Sequence, residues 1–399
     1  MFDIKKAVAN QTHELVEWRR WLHQHAEIAW KETETTEFIE ARLREMGLNP
    51  VRFDCGTGCW AIIEGKHPTA KEKTILLRAD IDAMPGMDAK DVPYKSVHEG
   101  AVHSCGHDGH TAMLLCAAKI LADAKEHLKG NVKLVFEPAE ELSAGGKYCV
   151  SQGVLENVDA AFAFHMWDSV DEGKVNIPDG PCMAGFYGFK ITVNGKSNTC
   201  SPKDGADAIQ AMGKVIENLQ MIRTNLVDHF TEPTVLTLGT LHGGYARNAG
   251  ADRVELEGVI RTFYRGSYEE LKTYVERIAQ GTAQLNGCTA EVELDEGLNP
   301  LIHNSAAMNE LTRHAAQKIL GEDCLQEEGP NIGGDTFASY NAKVPGVYAR
   351  LGTKKSSYSD GEQYFLHDDR YNFDDEAVLP NGTATFIQVV LDFFESKDF

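Results

Sequence analysis

The 399-residue chain has no excess of positive charge: 39 lysines and arginines stand against 60 aspartates and glutamates, a formal net charge of -21. Phosphate backbones and anionic lipid surfaces both call for a basic stripe, so neither nucleic acid nor a membrane surface is an expected partner. No apolar run approaches the roughly 20 residues that a membrane helix needs. The opening Met1-Phe2-Asp3-Ile4-Lys5-Lys6 lacks the apolar stretch and small-residue cleavage site of a secretory leader. The nine cysteines are odd in number and scattered, at 55, 59, 105, 116, 149, 182, 200, 288 and 324. That is no disulfide framework, and the expected location is a reducing cytoplasm. Cys55 and Cys59 are spaced one residue too far for Cys-x-x-Cys and have no matching second pair, so they read as buried thiols rather than a zinc clip. Repeats and low-complexity segments are missing too.

What is present describes a globular protein. Hydrophobic residues make up 42% and charged residues 25%, and the length exceeds one ordinary core, so two domains are expected. Apolar periodicity predicts amphipathic helices over residues 5–26 and 35–46, the second closed by Gly47. Strands are expected at 74–79, 131–136 and 159–164, interleaved with helices at 111–124 and 145–153. Such alternation indicates an α/β layer with a largely parallel sheet. The pattern changes near residue 184: strand 186–193, helix 205–227, strands 234–239 and 253–259, helix 268–284, strand 289–292. This β-α-β-β-α-β order is that of a small ferredoxin-like α+β domain. Long helices then resume, with a strand at 344–349. The expected architecture is an α/β/α sandwich, residues 1–184 and 299–399, interrupted by an inserted domain, residues 185–298.

One run stands out chemically. His103-Ser104-Cys105-Gly106-His107-Asp108-Gly109-His110 packs a thiol, three imidazoles and a carboxylate into eight residues, with two glycines to bend the backbone. Thiolate and imidazole are the ligands that borderline divalent metals prefer. A polar loop capping the next helix is the plainer alternative. In an α/β sheet, reactive groups gather past the carboxyl ends of strands. Asp80 and Asp82, Cys105 and His107, Glu140 and Glu141, and His165 all fall at such places. A strand-end Asp is usually a turn residue and a Glu pair usually a solvated helix start, but four such groups at successive strand ends are hard to dismiss together. In a metal hydrolase, one glutamate of a pair binds metal while its neighbour takes a proton from the attacking water.

Several segments together resemble one family. They are the 103–110 run, Leu77-Arg78-Ala79-Asp80-Ile81-Asp82-Ala83-Met84-Pro85, Glu137-Pro138-Ala139-Glu140-Glu141, Phe164-His165, Gly258-Val259-Ile260-Arg261-Thr262 and Tyr364-Phe365-Leu366-His367. The family is the dinuclear-metal aminoacylase and carboxypeptidase group, in the branch of hippurate hydrolases and plant auxin-conjugate hydrolases. The resemblance spans nearly the whole chain in the same motif order. It implies hydrolysis of the amide of N-acyl amino acids by two divalent ions (Zn, Mn, Co or Ni) held by Cys105, His107, Glu141, His165 and His367. Glu140 would be the general base, and Asp82 the acid that orients a ligand imidazole. The inserted domain would act as a lid and as the contact of a homodimer.

Two departures fall where substrate should be gripped. The family carries a Gly-Gly-His segment in its small domain, whose histidine helps hold the oxyanion; here Gly195-Lys196-Ser197-Asn198-Thr199 has none, and Thr199 stands about where it should be. Asn248 matches a family asparagine, and His242 and Arg247 are neighbouring candidates. Gly333-Gly334-Asp335-Thr336-Phe337 stands where the branch shows a Glu-Asp pair before the phenylalanine, with Asp335 in the glutamate's place. Alternatives on the same scaffold are a metal carboxypeptidase or dipeptidase acting on short peptides, and a catalytically silent small-ligand-binding protein.

Overall fold

A computed structural model describes residues 2–70, 73–197, 202–355 and 363–399. The chain forms two compact units, the larger comprising Met1–Cys182, Ile302–Gly329 and Asp335–Phe399, the smaller Met183–Leu301 and Pro330–Gly334.

The larger unit is built on a seven-stranded sheet ordered Val51–Arg52, Cys59–Ile63, Asn131–Glu137, Thr74–Asp80, Ala160–Asp171, Gly346–Lys354, Val175–Asn176. Its four central strands run parallel and the outer pairings are antiparallel. Every residue of Thr74–Asp80 is buried, which suits a strand covered on both faces and explains its unbroken apolar run. Arg78 is the exception in that run, and its partners appear below. The helix His107–Asp123 is apolar almost all round and lies in the core. The helix Asp375–Glu395 has the length and hydropathy of a membrane span, yet 61% of that stretch is buried inside the protein, as in a core helix. A mixed α/β fold with a central, mostly parallel sheet is thus what the alternating pattern predicts.

Several element ends depart from expectation, four of them instructively. The first helix is two, Ile4–Ala9 and Thr12–Gln24. The Thr12 hydroxyl donates to the Val8 carbonyl at 3.2 Å, a side-chain bond that competes with the helical ladder and breaks the run there. The helix expected from residue 111 begins at His107. The strand at 160 continues to Asp171 because it pairs with Gly346–Lys354 beyond the point where pairing to Thr74–Asp80 stops, at Ala163 opposite Arg78. The helix expected over 205–227 is Ala208–Leu219, started by the Asp207 carboxylate accepting from the Ile209 and Gln210 N–H groups. A separate π-type turn follows at Ile222–Leu226.

The smaller unit is a four-stranded antiparallel sheet ordered Thr234–Gly243, Arg253–Thr262, Gly185–Asn194, Thr289–Leu294. The helices Ala208–Leu219 and Tyr268–Leu285 pack into one core with it. A capping box of Ser267 and Glu270 starts the second helix. Chain order and sheet order together are ferredoxin-like.

Candidate metal centre

The site lies at the carboxyl ends of the parallel strands of the larger unit. Gly106 caps the helix His107–Asp123 at φ +89°, and a Cβ there would come within 3.0 Å of Met166. Only glycine takes this turn without strain, and it aims Cys105 and His107 the same way. After Asn131–Glu137 the chain turns through Ala139 at φ +54° and delivers Glu140 and Glu141; His367 also has φ +73°. Non-glycine residues in this region are strained and cluster at functional sites.

The side chains meet in overlapping groups. Cys105, Glu141 and His367 each offer one ligand atom within 4.8 Å of the others, as do His107, Glu140 and Glu141, and likewise Asp80, His107, His110 and His165. Cys105 Sγ lies 3.3 Å from His367 Nε2 and 3.5 Å from His165 Nε2. Hydrogen bonding decides which ring nitrogens are free. His107 Nδ1 donates to the Asp82 carbonyl at 2.9 Å, and His165 Nδ1 donates to the Met166 carbonyl at 2.7 Å. Their Nε2 atoms therefore face the site. His110 is different: its Nε2 accepts the Met166 N–H at 2.8 Å and its Nδ1 donates to Asp80 at 2.6 Å. Both its nitrogens are engaged, so it braces the site and is not free to ligate.

Asp82 does more than orient an imidazole. Its carbonyl holds His107, while its two carboxylate oxygens accept the N–H groups of Glu140, at 3.1 Å, and Glu141, at 3.0 Å. Glu140 Oε1 accepts the Thr336 N–H at 3.0 Å. Glu141 Oε1 and His107 Nε2 are buried with no hydrogen-bond partner.

These orphaned atoms test the fit to a cation. A buried carboxylate oxygen and a buried imidazole nitrogen lacking partners, aimed at a thiol and two further imidazoles, form an S/N/O donor set suited to Zn²⁺ or a similar ion. The electrostatics agree. Burial pushes the Cys105 thiol well above its usual range, with Glu141 adding to the rise. Burial also raises Glu140 well above the carboxylate range, followed by Asp335 and Glu141. Glu141 rises to about 7, chiefly through burial. Burial lowers His165 and His367, which leaves them neutral, as ligation requires. The residues present fit a divalent cation.

Sequence reasoning missed the support behind this cluster. Fully buried Arg78 pairs with Asp80 at 2.7 Å and Glu137 at 3.0 Å and donates to the Thr336 hydroxyl at 2.8 Å. It joins the strand end to the segment whose N–H holds Glu140. An arginine inside an otherwise apolar strand was the available signal, because a buried guanidinium must find carboxylates. Asp335 is buried 3.5 Å from Arg78. His242, Arg247 and Asn248 are exposed residues of the smaller unit. Thr199 lies outside the described residues.

The fold and the strand-end donor set define a metallopeptidase-like hydrolase class, and the chain belongs to peptidase family M20/M25/M40, which residues 76–392 match. It is 34% identical over 367 residues to N-acetyl-L-cysteine deacetylase of Bacillus subtilis (strain 168), covering 92% of this chain and 85% of that protein. To IAA-amino acid hydrolase ILR1-like 4 of Arabidopsis thaliana it is 33% identical over 345 residues, 86% of this chain and 77% of the relative. The fold matches that of the Bacillus subtilis YXEP protein, described as a dinuclear metal binding peptidase from the M20 family. That match has a TM-score of 0.81 at 29% identity and covers 97% of this chain and 99% of the other.

Proposed function

We propose that the protein is a metal-dependent amidohydrolase that cleaves the amide of N-acyl amino acids. The observation that carries this reading is the free Nε2 of His107 and free Oε1 of Glu141, set beside a thiol, two more imidazoles and a second, differently held glutamate. Cys105, His107, Glu141, His165 and His367 would hold two divalent ions. When bound, such ions polarise the amide carbonyl and make the attacking water more acidic. Glu140, fixed by the Thr336 N–H and with its carboxyl raised by burial, takes that water's proton and returns it to the leaving amine. Asp82 sets the spacing of the two glutamates. Names of the relatives, a deacetylase of N-acetyl-L-cysteine and a hydrolase of IAA-amino acids, support a small N-acyl amino acid as substrate.

In this proposal the inserted segment 185–298 is the lid. Asn248 supplies the oxyanion's hydrogen bond, and Arg247 takes the substrate carboxylate as a charge-assisted contact. The test is a panel of N-acyl amino acids and dipeptides, with and without chelator, on metal-reconstituted protein. N-acyl amino acids should be cleaved preferentially. A preference for dipeptides would favour the carboxypeptidase alternative, and a metal-loaded protein inert to both would favour a silent binding protein. In the same panel Asn248→Ala should lose about 10²–10³ in turnover with little change in KM, and Arg247→Ala should mainly raise KM. A near-normal Asn248→Ala beside a collapsed His242→Ala would move the oxyanion role to His242.

We propose that the homodimer forms along the Thr234–Gly243 strand. This edge of the small sheet leaves Val235, Leu238 and Leu241 exposed at 43%, 38% and 55%, and an open apolar edge invites pairing with a second copy. Light scattering should give twice 44.0 kDa; a single-chain mass across a wide concentration range would contradict it. The described cysteines are all free thiols, which supports a reducing cytoplasm as the compartment.

A further inference from the structure

Behind the donor cluster lies a second group of buried charges that proton transfer does not use. Lys90 and Asp88 have side chains only 2% exposed. The Lys90 ammonium donates to the main-chain carbonyls of His103 and Asp369, each at 3.1 Å, and to Asp88 Oδ1 at 3.4 Å. An ammonium has three protons, and here each has an acceptor. His103 precedes Cys105 by two residues, and Asp369 follows His367 by two. One cation therefore ties together the two segments that bring a thiol and an imidazole within 3.3 Å, although those residues are 262 apart in sequence. The segments also touch directly, where the His367 N–H donates to the Ser104 carbonyl at 2.8 Å.

Lys90 is itself held from behind. Asp88 Oδ2 accepts the Ser96 N–H at 2.9 Å and lies 3.1 Å from His23 Nε2. His23 Nδ1 is 2.6 Å from Asp108, the residue after His107, and Arg19 Nε is 3.0 Å from the same carboxylate oxygen. The row from Lys90 to Arg19 thus grips both sides of the Cys105-Gly106-His107 turn. Burying an ammonium is costly unless it is fully paired. An apolar side chain could fill the volume, but it could not hold two carbonyls from separate loops at a fixed distance.

We propose that Lys90 is a positioning residue that sets the gap between Cys105 and His367, holding both loops at ligating distance before a cation arrives. Pre-organised ligands avoid paying the ordering cost at the moment of binding. The inference rests on the assignment of Cys105 and His367 as ligands. It adds that the affinity of that ligand pair is set by a lysine that touches neither the cation nor the substrate.

The experiment titrates Co²⁺ into the full-length metal-free protein against a competing chelator, following the sulfur-to-cobalt charge-transfer absorption that reports the Cys105 bond. Lys90→Met keeps the stem and drops the ammonium, but leaves the buried Asp88 carboxylate without the cation that faces its Oδ1. The double variant Lys90→Met, Asp88→Asn removes that stranded charge and keeps an acceptor for the Ser96 N–H. The expected result is a loss of about 10–100-fold in cobalt affinity in both variants, while the double variant regains the metal-free thermal stability that the single one loses. A double variant with wild-type cobalt affinity would overturn the clamp, since Lys90 would then serve only to neutralise Asp88. A wild type that binds cobalt without the sulfur absorption would overturn the ligand assignment, and the clamp with it.

Discussion

Glu140→Gln keeps its metal and loses about 10²–10⁴-fold in turnover, whereas Glu141→Gln loses metal and turnover together. The two side chains are sequence neighbours, yet the structure treats them differently. Glu140 accepts a main-chain N–H from Thr336, a bond that glutamine's amide oxygen preserves, so the variant retains its position and loses only the ability to take a proton. Glu141 presents a buried oxygen with no protein partner, 3.8 Å from the likewise unpartnered Nε2 of His107. An amide is a weaker, uncharged donor at that position, so the cation is released. Elemental analysis of each purified variant beside its kcat separates the cases. Equal metal loss in both would reverse or merge the two roles.

Much of this was legible in the sequence for physical reasons that differ from element to element. The strands Thr74–Asp80 and Asn131–Glu137 announce themselves as apolar runs because both faces are covered. The ferredoxin-like order is legible from alternation, as in Arg253–Thr262, whose side chains largely alternate between interior and solvent. The grouping of Cys105, His107, Glu141 and His165 follows from chemistry at successive strand ends. His367 is another matter: nothing local marks it, and only motif order in the resemblance pointed to it. What remained hidden was long range. Arg78 reaches Thr336 across 258 residues and Lys90 reaches Asp369 across 279. A lone buried cation shows in a sequence only as a charge in an awkward place, because its partners are set by tertiary packing rather than by spacing. The break after Ala9 was hidden for a smaller reason, one threonine hydroxyl competing for one carbonyl.

Removing divalent ions should abolish hydrolysis, with Mn²⁺, Zn²⁺, Co²⁺ or Ni²⁺ restoring it, and should make stability depend on pH in a definite direction. In the metal-free chain Glu141 titrates at about 7, chiefly because it is buried, and burial holds Glu140 higher than an ordinary carboxylate as well. For His107, burial acts downward, but Asp80 and Cys105 outweigh it and the ring ends well above its usual value. Each of these groups holds its proton more tightly folded than unfolded. Their contribution to stability is therefore present at low pH and lost as pH rises through the folded values. His165 and His367 are shifted downward by burial and are neutral in both states above about pH 7, so they do not oppose the trend there. Glu141's share of that loss falls between the ordinary carboxylate range and about pH 7, so above pH 7 the metal-free protein should lose further stability through His107 and Glu140, whose values are raised well above their ordinary ones. The loaded protein should not, because a cation compensates the same anions and binds their deprotonated forms more tightly as protons leave. With metal at ~1,000 times its dissociation constant the loaded form gains about 4 kcal/mol, several degrees in melting temperature, and this gap should widen with pH. Thermal unfolding of both forms across that range measures it. A gap that stays constant as pH rises above 7 would mean that the cation does not sit beside His107 and Glu140, whatever its effect on activity.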